Sequence, residues 1–294
     1  MVDEGMHYEG NCIRPPSEAY SILLQVTVGC SHNKCTFCGT YKDVRFRIKD
    51  DSIILSDILF ASKYMKGQNR VFLMDGDSLI IPQKRLIWIL DRIKEHLPWV
   101  KRVGAYANTK SLEMKSSKDL KELRQNGLKI LYLGVESGDE ETLKRIRKGT
   151  TGQNLIDMGR KAKEAGMKLS VTVLLGIAGR EGSLEHARAT GALLSAMDPN
   201  YVGALTVMLI PGTVLYEEYH HGKFQLPGER ELLQELREMI AHTNLTRGLF
   251  FSNHASNYLP VKARLPKGKQ EALDLIDSAL QGEVALRPEW TRAL

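Results

Sequence analysis

The stretch SILLQVTVGCSHNKCTFC, residues 21–38, decides the reading of this chain. Its first eight residues, 21–28, are short in run, apolar and β-branched, the pattern of a buried strand. Directly after it stand Cys30, Cys35 and Cys38, spaced C-x4-C-x2-C. A loop of this size can turn three thiolates inward around one inorganic centre, and thiolates are the ligands that iron–sulfur clusters use. Three ligands for a four-iron cluster leave one iron open, and by the same logic an open position marks a catalytic zinc site. A zinc knuckle or a lone CxxC redox pair competes with this reading. Zinc would want a fourth ligand close by, and His32 inside the loop could serve.

Outward from that loop the sequence alternates between strand and helix. Residues 52–66 carry apolar positions at helical spacing and stop at Gly67. Residues 71–74 form the next strand, and Pro82 then suits the first turn of a helix whose buried stripe is Leu86, Ile89, Leu90 and Ile93. A strand at 103–106 precedes a helix at 117–125, ended by Asn126-Gly127. A strand at 130–134 precedes helical segments at 140–147 and 154–165. Strands at 169–175 and 201–209 enclose a helix at 183–196. Six such units in sequence require parallel strands with covering helices, either an open doubly wound sheet or a partial barrel. In both, reactive residues belong at the C-terminal strand ends. The polar clusters fall there: Cys30–Cys38, Asp75–Asp77, Asn108, Glu136-Ser137, Gly176–Gly179 and Pro211-Gly212-Thr213. Beyond Tyr216 the pattern becomes helical, near 229–242 and 269–280, around an irregular stretch at 250–267. The expected division is an N-terminal extension (1–19), a core (20–216) and a C-terminal extension (217–294).

A chain of 294 residues buries a core without crosslinks, so its four cysteines need another explanation. No apolar run approaches the ~18–20 residues of a membrane span, and the opening MVDEGMHYEG lacks the basic and apolar regions of a signal peptide. The expected setting is therefore cytoplasmic with no membrane partner, where paired thiols favour metal chemistry over disulfides. The formal charge of +6 is a mild bias toward anionic partners without a basic tail that would indicate nucleic acid.

The strand, the cysteine loop with Phe37 before its last cysteine, and the repeated units resemble the radical S-adenosylmethionine superfamily. The commonest spacing there is C-x3-C-x2-C, one residue shorter in the first gap. The resemblance implies an α/β fold, a partial (β/α)6 TIM-type barrel over residues 20–216 with a mostly helical C-terminal extension. It implies a [4Fe–4S] cluster on Cys30, Cys35 and Cys38, and S-adenosylmethionine beside it with Phe37 and Asn108 among its surroundings. Met74-Asp75-Gly76-Asp77 matches the glycine-rich element that receives the cofactor's amino group, usually Gly-Gly-Glu. Glu136, with Ser137 beside it, matches the polar position holding the ribose or amino-acid end. Lys148 matches a basic residue that pairs with the cofactor carboxylate in the Elongator-type and methylthiotransferase branch. The segments with Gly176 and Leu209 resemble those that flank the adenine. As local features, Asp75–Asp77 also reads as a turn and Glu136 as a helix cap. Oxygen-independent coproporphyrinogen oxidase is similar in architecture, but its N-terminal tyrosine- and histidine-containing approach is missing. Only Cys12 lies outside the triad, too few thiols for a second cluster, and it reads as a packed thiol.

The implied chemistry is reductive cleavage of S-adenosylmethionine to a 5′-deoxyadenosyl radical, which takes hydrogen from a small substrate. An oxygen-sensitive cluster and an external one-electron donor such as flavodoxin or ferredoxin come with it. A tRNA or protein substrate is the rival within enzymes: Arg45, Arg47 and Lys49 alternate along one face, and Lys262, Arg264, Lys267 and Lys269 cluster later. A non-catalytic iron–sulfur or zinc module is the rival of another class. The substrate pocket is expected at residues 252–258, where His254, Asn257 and Tyr258 lie between apolar flanks, with Lys262 and Arg264 suited to an anionic group.

Overall fold

The computed structural model describes residues 5–293. The chain runs β1 (Ile22–Gln25), β2 (Thr27–Val28), β3 (Arg47–Ile48), α1 (Asp51–Tyr64), β4 (Arg70–Met74), α2 (Gln83–His96), β5 (Arg102–Ala107), α3 (Thr109–Glu113), α4 (Ser117–Gln125) and β6 (Leu128–Glu136). It continues through α5 (Glu140–Arg145), α6 (Gly152–Glu164), β7 (Lys168–Leu175), α7 (Gly179–Met197), β8 (Tyr201–Thr206), α8 (Val214–His220), α9 (Glu229–His242), β9 (Leu249–Phe251), β10 (Lys262–Arg264) and α10 (Lys269–Leu280). Two compact units divide it. The first holds residues up to Asn33, Thr40–Leu133 and Lys161–Leu169; the second holds Lys34–Gly39, Gly134–Arg160 and the chain from Ser170 onward.

In the first unit β1, β4, β5 and β6 follow one another, each pair parallel, as the alternating pattern requires. Leu86, Ile89, Leu90 and Ile93 of α2 are all buried, so its apolar stripe faces the core. Ser116 and Asp119 cap α4 reciprocally, which fixes its start. The expected strand at 21–28 is broken in two. β1 ends at Gln25, whose side-chain amide is engaged by the backbone of Glu9. The Val26 carbonyl then accepts from Lys49 N, and β2 pairs antiparallel with β3. That pairing also corrects the basic face. Arg45 and Arg47 are exposed, but Lys49 is buried, its ammonium on the His7 carbonyl and 3.9 Å from Asp57.

In the second unit the order is β7, β8, β9, β10, the first three parallel and β10 antiparallel. The strand expected at 201–209 stops at Thr206, which leaves Leu209 in the following loop. The stretch expected to be irregular contains β9 and β10, three residues each and too short to register as a period. α9 buries Leu232, Leu233, Leu236, Met239 and Ile240, much of it against α7. Both units are α/β, mostly parallel strands alternating with helices. Among the described residues no helix is long and apolar enough to cross a membrane.

Candidate functional site

The start of the cysteine loop is held from the end of β4. Asp75 is buried with a left-handed backbone (φ 76°), a conformation aspartate tolerates better than most residues. One carboxylate oxygen accepts from Gly29 N and from Gln25 Nε2, both at 3.0 Å, and the other from the Tyr41 hydroxyl at 3.0 Å. Burial pushes this carboxyl up and the three donors pull it back. Asp77, fully buried, accepts from the Ser31 hydroxyl at 2.7 Å, and burial pushes it up to about 6. Asn108 caps α3 through Ser111 N and donates to the same Ser31 hydroxyl at 3.1 Å. Asp75 and Asp77 thus fasten Gly29 and Ser31, the neighbours of Cys30, while the buried Asp77 Oδ1 has no hydrogen-bond partner among the described residues. Between them Gly76 donates to the Gly29 carbonyl, and a Cβ on it would stand 2.7 Å from Cys30 Cβ. Only glycine fits that approach.

The later part of the loop belongs to the second unit. Thr36 N donates to Ile146 O, and Thr36 O accepts from Leu215 N, both at 3.0 Å, so the backbone between Cys35 and Phe37 is stitched to two helix ends. None of the three loop cysteines nor Cys12 is in a disulfide, and all four are partly buried. Burial first, then the Asp75 charge, pushes the Cys12 thiol up. Among the described residues no three His, Cys, Asp or Glu side chains stand arranged to hold a metal ion. In donor chemistry the loop still fits an iron–sulfur cluster: three thiols outside any disulfide within nine residues.

At the end of β6, Glu136 also has a left-handed backbone (φ 64°) and pairs with Lys148 at 2.8 Å. Two residues that the resemblance assigns to the cofactor thus stand paired with each other. A Cβ on Gly134 would stand 2.3 Å from the Glu136 carboxylate and 3.0 Å from the Lys148 ammonium. Ser137 is fully buried and turned to His186, at 2.7 Å from its Nδ1. Gly176 has φ 79° and donates to the Glu235 carboxyl at 2.7 Å. His186 and Glu235 were not legible in the sequence. They lie 49 and 59 residues from the loops they touch, in no motif.

In the expected substrate segment the polar side chains have partners within the protein. Asn257 is buried with its amide committed: it accepts from Thr206 and donates to the Ala204 and Ser252 carbonyls, at 2.8–2.9 Å. The Tyr258 hydroxyl meets Glu289 and Arg292, and that guanidinium lies 4.2 Å over its ring. His254 is half-buried, its Nδ1 accepting from Ser256 N at 3.1 Å, and burial lowers its basicity. Lys262 and Arg264 point outward from β10. Asn257 and Tyr258 thus tie the segment to its neighbours, which their polar character alone did not reveal.

Parallel strands whose connecting loops present thiols and paired charges at their C-terminal ends define an α/β fold like that of TIM-type barrels. The Radical SAM superfamily model matches residues 24–187, and the chain belongs to that superfamily. Its members use a [4Fe–4S] cluster and S-adenosylmethionine. An uncharacterized protein of Methanocaldococcus jannaschii is 23% identical over 237 residues, 76% of this chain and 71% of that one. An uncharacterized methyltransferase of Pyrococcus horikoshii is 28% identical over 201 residues, 66% of this chain and 41% of that one. The heme chaperone HemW of Bacillus subtilis is 20% identical over 162 residues, 55% of this chain and 42% of that one. The chain thus spans less than half the length of the last two. Among solved structures, methylornithine synthase shares the fold with TM-score 0.53 at 20% identity, covering 76% of this chain and 63% of that one. Coproporphyrinogen III oxidase of Escherichia coli does so with TM-score 0.51 at 14% identity, covering 74% of this chain and 50% of that one.

Proposed function

We propose that the chain is a radical S-adenosylmethionine enzyme that holds a [4Fe–4S] cluster on Cys30, Cys35 and Cys38 and acts on a small molecule. The observation that carries this reading is the clamp on both neighbours of Cys30, the Gly29 amide held by Asp75 and the Ser31 hydroxyl by Asp77 and Asn108. Three thiols on a loop so fastened suit a centre that must keep its geometry while one position stays open. When bound, the cluster and S-adenosylmethionine supply reductive cleavage of the sulfonium and a radical able to take hydrogen from carbon. The protein's own part is binding, orientation and exclusion of water. Lys148 suits the cofactor's carboxylate and Glu136 its ammonium or ribose, each presented by the other across 2.8 Å.

A cleft of about 590 Å³, lined in part by Gly29 and Tyr41, by Arg45 and Arg47 and by the acidic Glu9, Asp43 and Asp75, has the size for a small molecule, with Arg47 already paired to Glu9. The experiment is anaerobic reconstitution followed by dithionite and S-adenosylmethionine. About four irons per chain and steady 5′-deoxyadenosine formation are expected; zinc in place of iron would end the reading.

The relative named a heme chaperone favours a second reading, a cluster-bearing protein that handles a tetrapyrrole without turnover. Hemin titration separates the two. Stoichiometric binding together with absence of 5′-deoxyadenosine would establish the second.

A further inference from the structure

In the second unit a chain of buried polar groups joins two strand-end loops that are far apart in sequence. From the loop after β6, Ser137 Oγ lies 2.7 Å from His186 Nδ1, and Gly138 N donates to Thr190 Oγ1 at 2.8 Å. Both partners are on α7. His186 Nε2 is 3.1 Å from the Leu174 carbonyl near the end of β7, which makes Nε2 the protonated nitrogen and Nδ1 the acceptor from Ser137. The same Nε2 is 3.4 Å from Glu235 Oε1 on α9. That carboxyl reaches the Gly176 amide at 2.7 Å and the Ser183 hydroxyl. Ser137, His186, Thr190 and Glu235 are all buried to completion.

Burying a carboxyl and an imidazole is costly, and hydrophobic side chains of like volume would stabilise the packing of α7 on α9 as well or better. What apolar side chains could not do is fix two loop backbones at once. Glu136 stands at positive φ, a conformation that its surroundings must enforce, while Gly176, also at positive φ, adopts it freely and needs only to be held in one place. We infer that Glu235 and His186 are positioning residues: one buried unit that locks the loop carrying Glu136 and the loop carrying Gly176 into a single geometry for S-adenosylmethionine. The inference rests on the functional reading above, which assigns those two loops to the cofactor.

Neither residue touches the proposed ligand, so the effect is indirect and carries a distinct signature. The measurements are amide hydrogen exchange in the cluster-free protein and S-adenosylmethionine binding to the reconstituted one, for Glu235→Ala, Glu235→Gln, Ser137→Ala and Leu236→Ala. Glu235→Ala should speed exchange at residues 174–179 and also at 136–139, which Glu235 does not contact. Ser137→Ala should speed exchange at Gly176 in return. Each should weaken binding about tenfold or more, as loss of an outer partner does at comparable sites, with iron content unchanged. Glu235→Gln keeps an acceptor for Gly176 N and should restore both readings to near wild type. Leu236→Ala, in the same helix but outside the network, should lower stability while binding stays within about twofold. Exchange confined to the loop next to each substitution, or unchanged binding in Glu235→Ala, would overturn the inference. Should the wild type itself fail to bind S-adenosylmethionine, the functional reading falls, and the exchange pattern still decides whether the two loops are coupled.

Discussion

Asp75 shows how one residue type can serve the protein's own backbone at the place where a cofactor contact is expected. The resemblance expects a carboxylate after the second parallel strand to receive the cofactor's ammonium, and the Asp75 oxygens accept from Gly29, Gln25 and Tyr41. Asp75→Asn would put an amide donor against one of these donors. We expect a loss of about 1–3 kcal/mol in urea unfolding and a fall in reconstituted iron, because the loop bearing Cys30 loosens. Full iron with lost S-adenosylmethionine binding would return Asp75 to the cofactor. The thiols give the companion prediction. Ala at Cys30, Cys35 or Cys38 should each remove most of the iron, since a three-point site has no spare ligand, whereas Cys12→Ala should leave iron and sulfide near wild type. Iron lost from the Cys12 variant would mean a closed four-thiol site.

Among elements, those with a strong period were legible. The stripe of α2 and the limits of α4 follow from apolar spacing and caps, and parallel strands followed from their alternation with helices. Pieces built by tertiary partners were not: β9 and β10 are three residues each, and β1 is cut short by a side-chain amide that reaches the N-terminal segment. The same limit hid the α7–α9 pair, since nothing local marks Glu235 as facing His186. That pair gives stability a pH dependence. Burial pushes Glu235 up to about 8 and His186 down to about 4. A raised carboxyl pKa means the folded state binds the extra proton, so stability falls as pH rises from the unfolded value toward 8. The lowered imidazole pKa makes stability rise between about 4 and 6.5 and then adds nothing. Between about pH 6.5 and 8 only the Glu235 slope remains of the two, on the order of 1–2 kcal/mol. Urea midpoints should decline across that window in the wild type and stay level in Glu235→Gln. Equal declines in both would place the charge elsewhere.

For the molecule as a whole, the sequence order of thiol loop, acidic turn, glutamate loop and glycine loop matched the order of strand ends, and that made the superfamily legible. The substrate was not, because hydrogen-bonding residues such as Asn257 look alike whether they face a ligand or tie the backbone together. One further feature bears on how copies of this chain behave at high concentration. β10 ends the run of strands in the second unit, and its Lys262 and Arg264 face outward beside Pro260. An open strand edge is a template on which another chain can add, and lysine or arginine there makes that addition costly through like-charge repulsion. The pair first read as a grip for an anionic substrate would then guard against fibre-like growth. Lys262→Val with Arg264→Val should leave the monomer folded but produce concentration-dependent assemblies in light scattering. A double variant that stays monodisperse would free those two charges for the ligand after all.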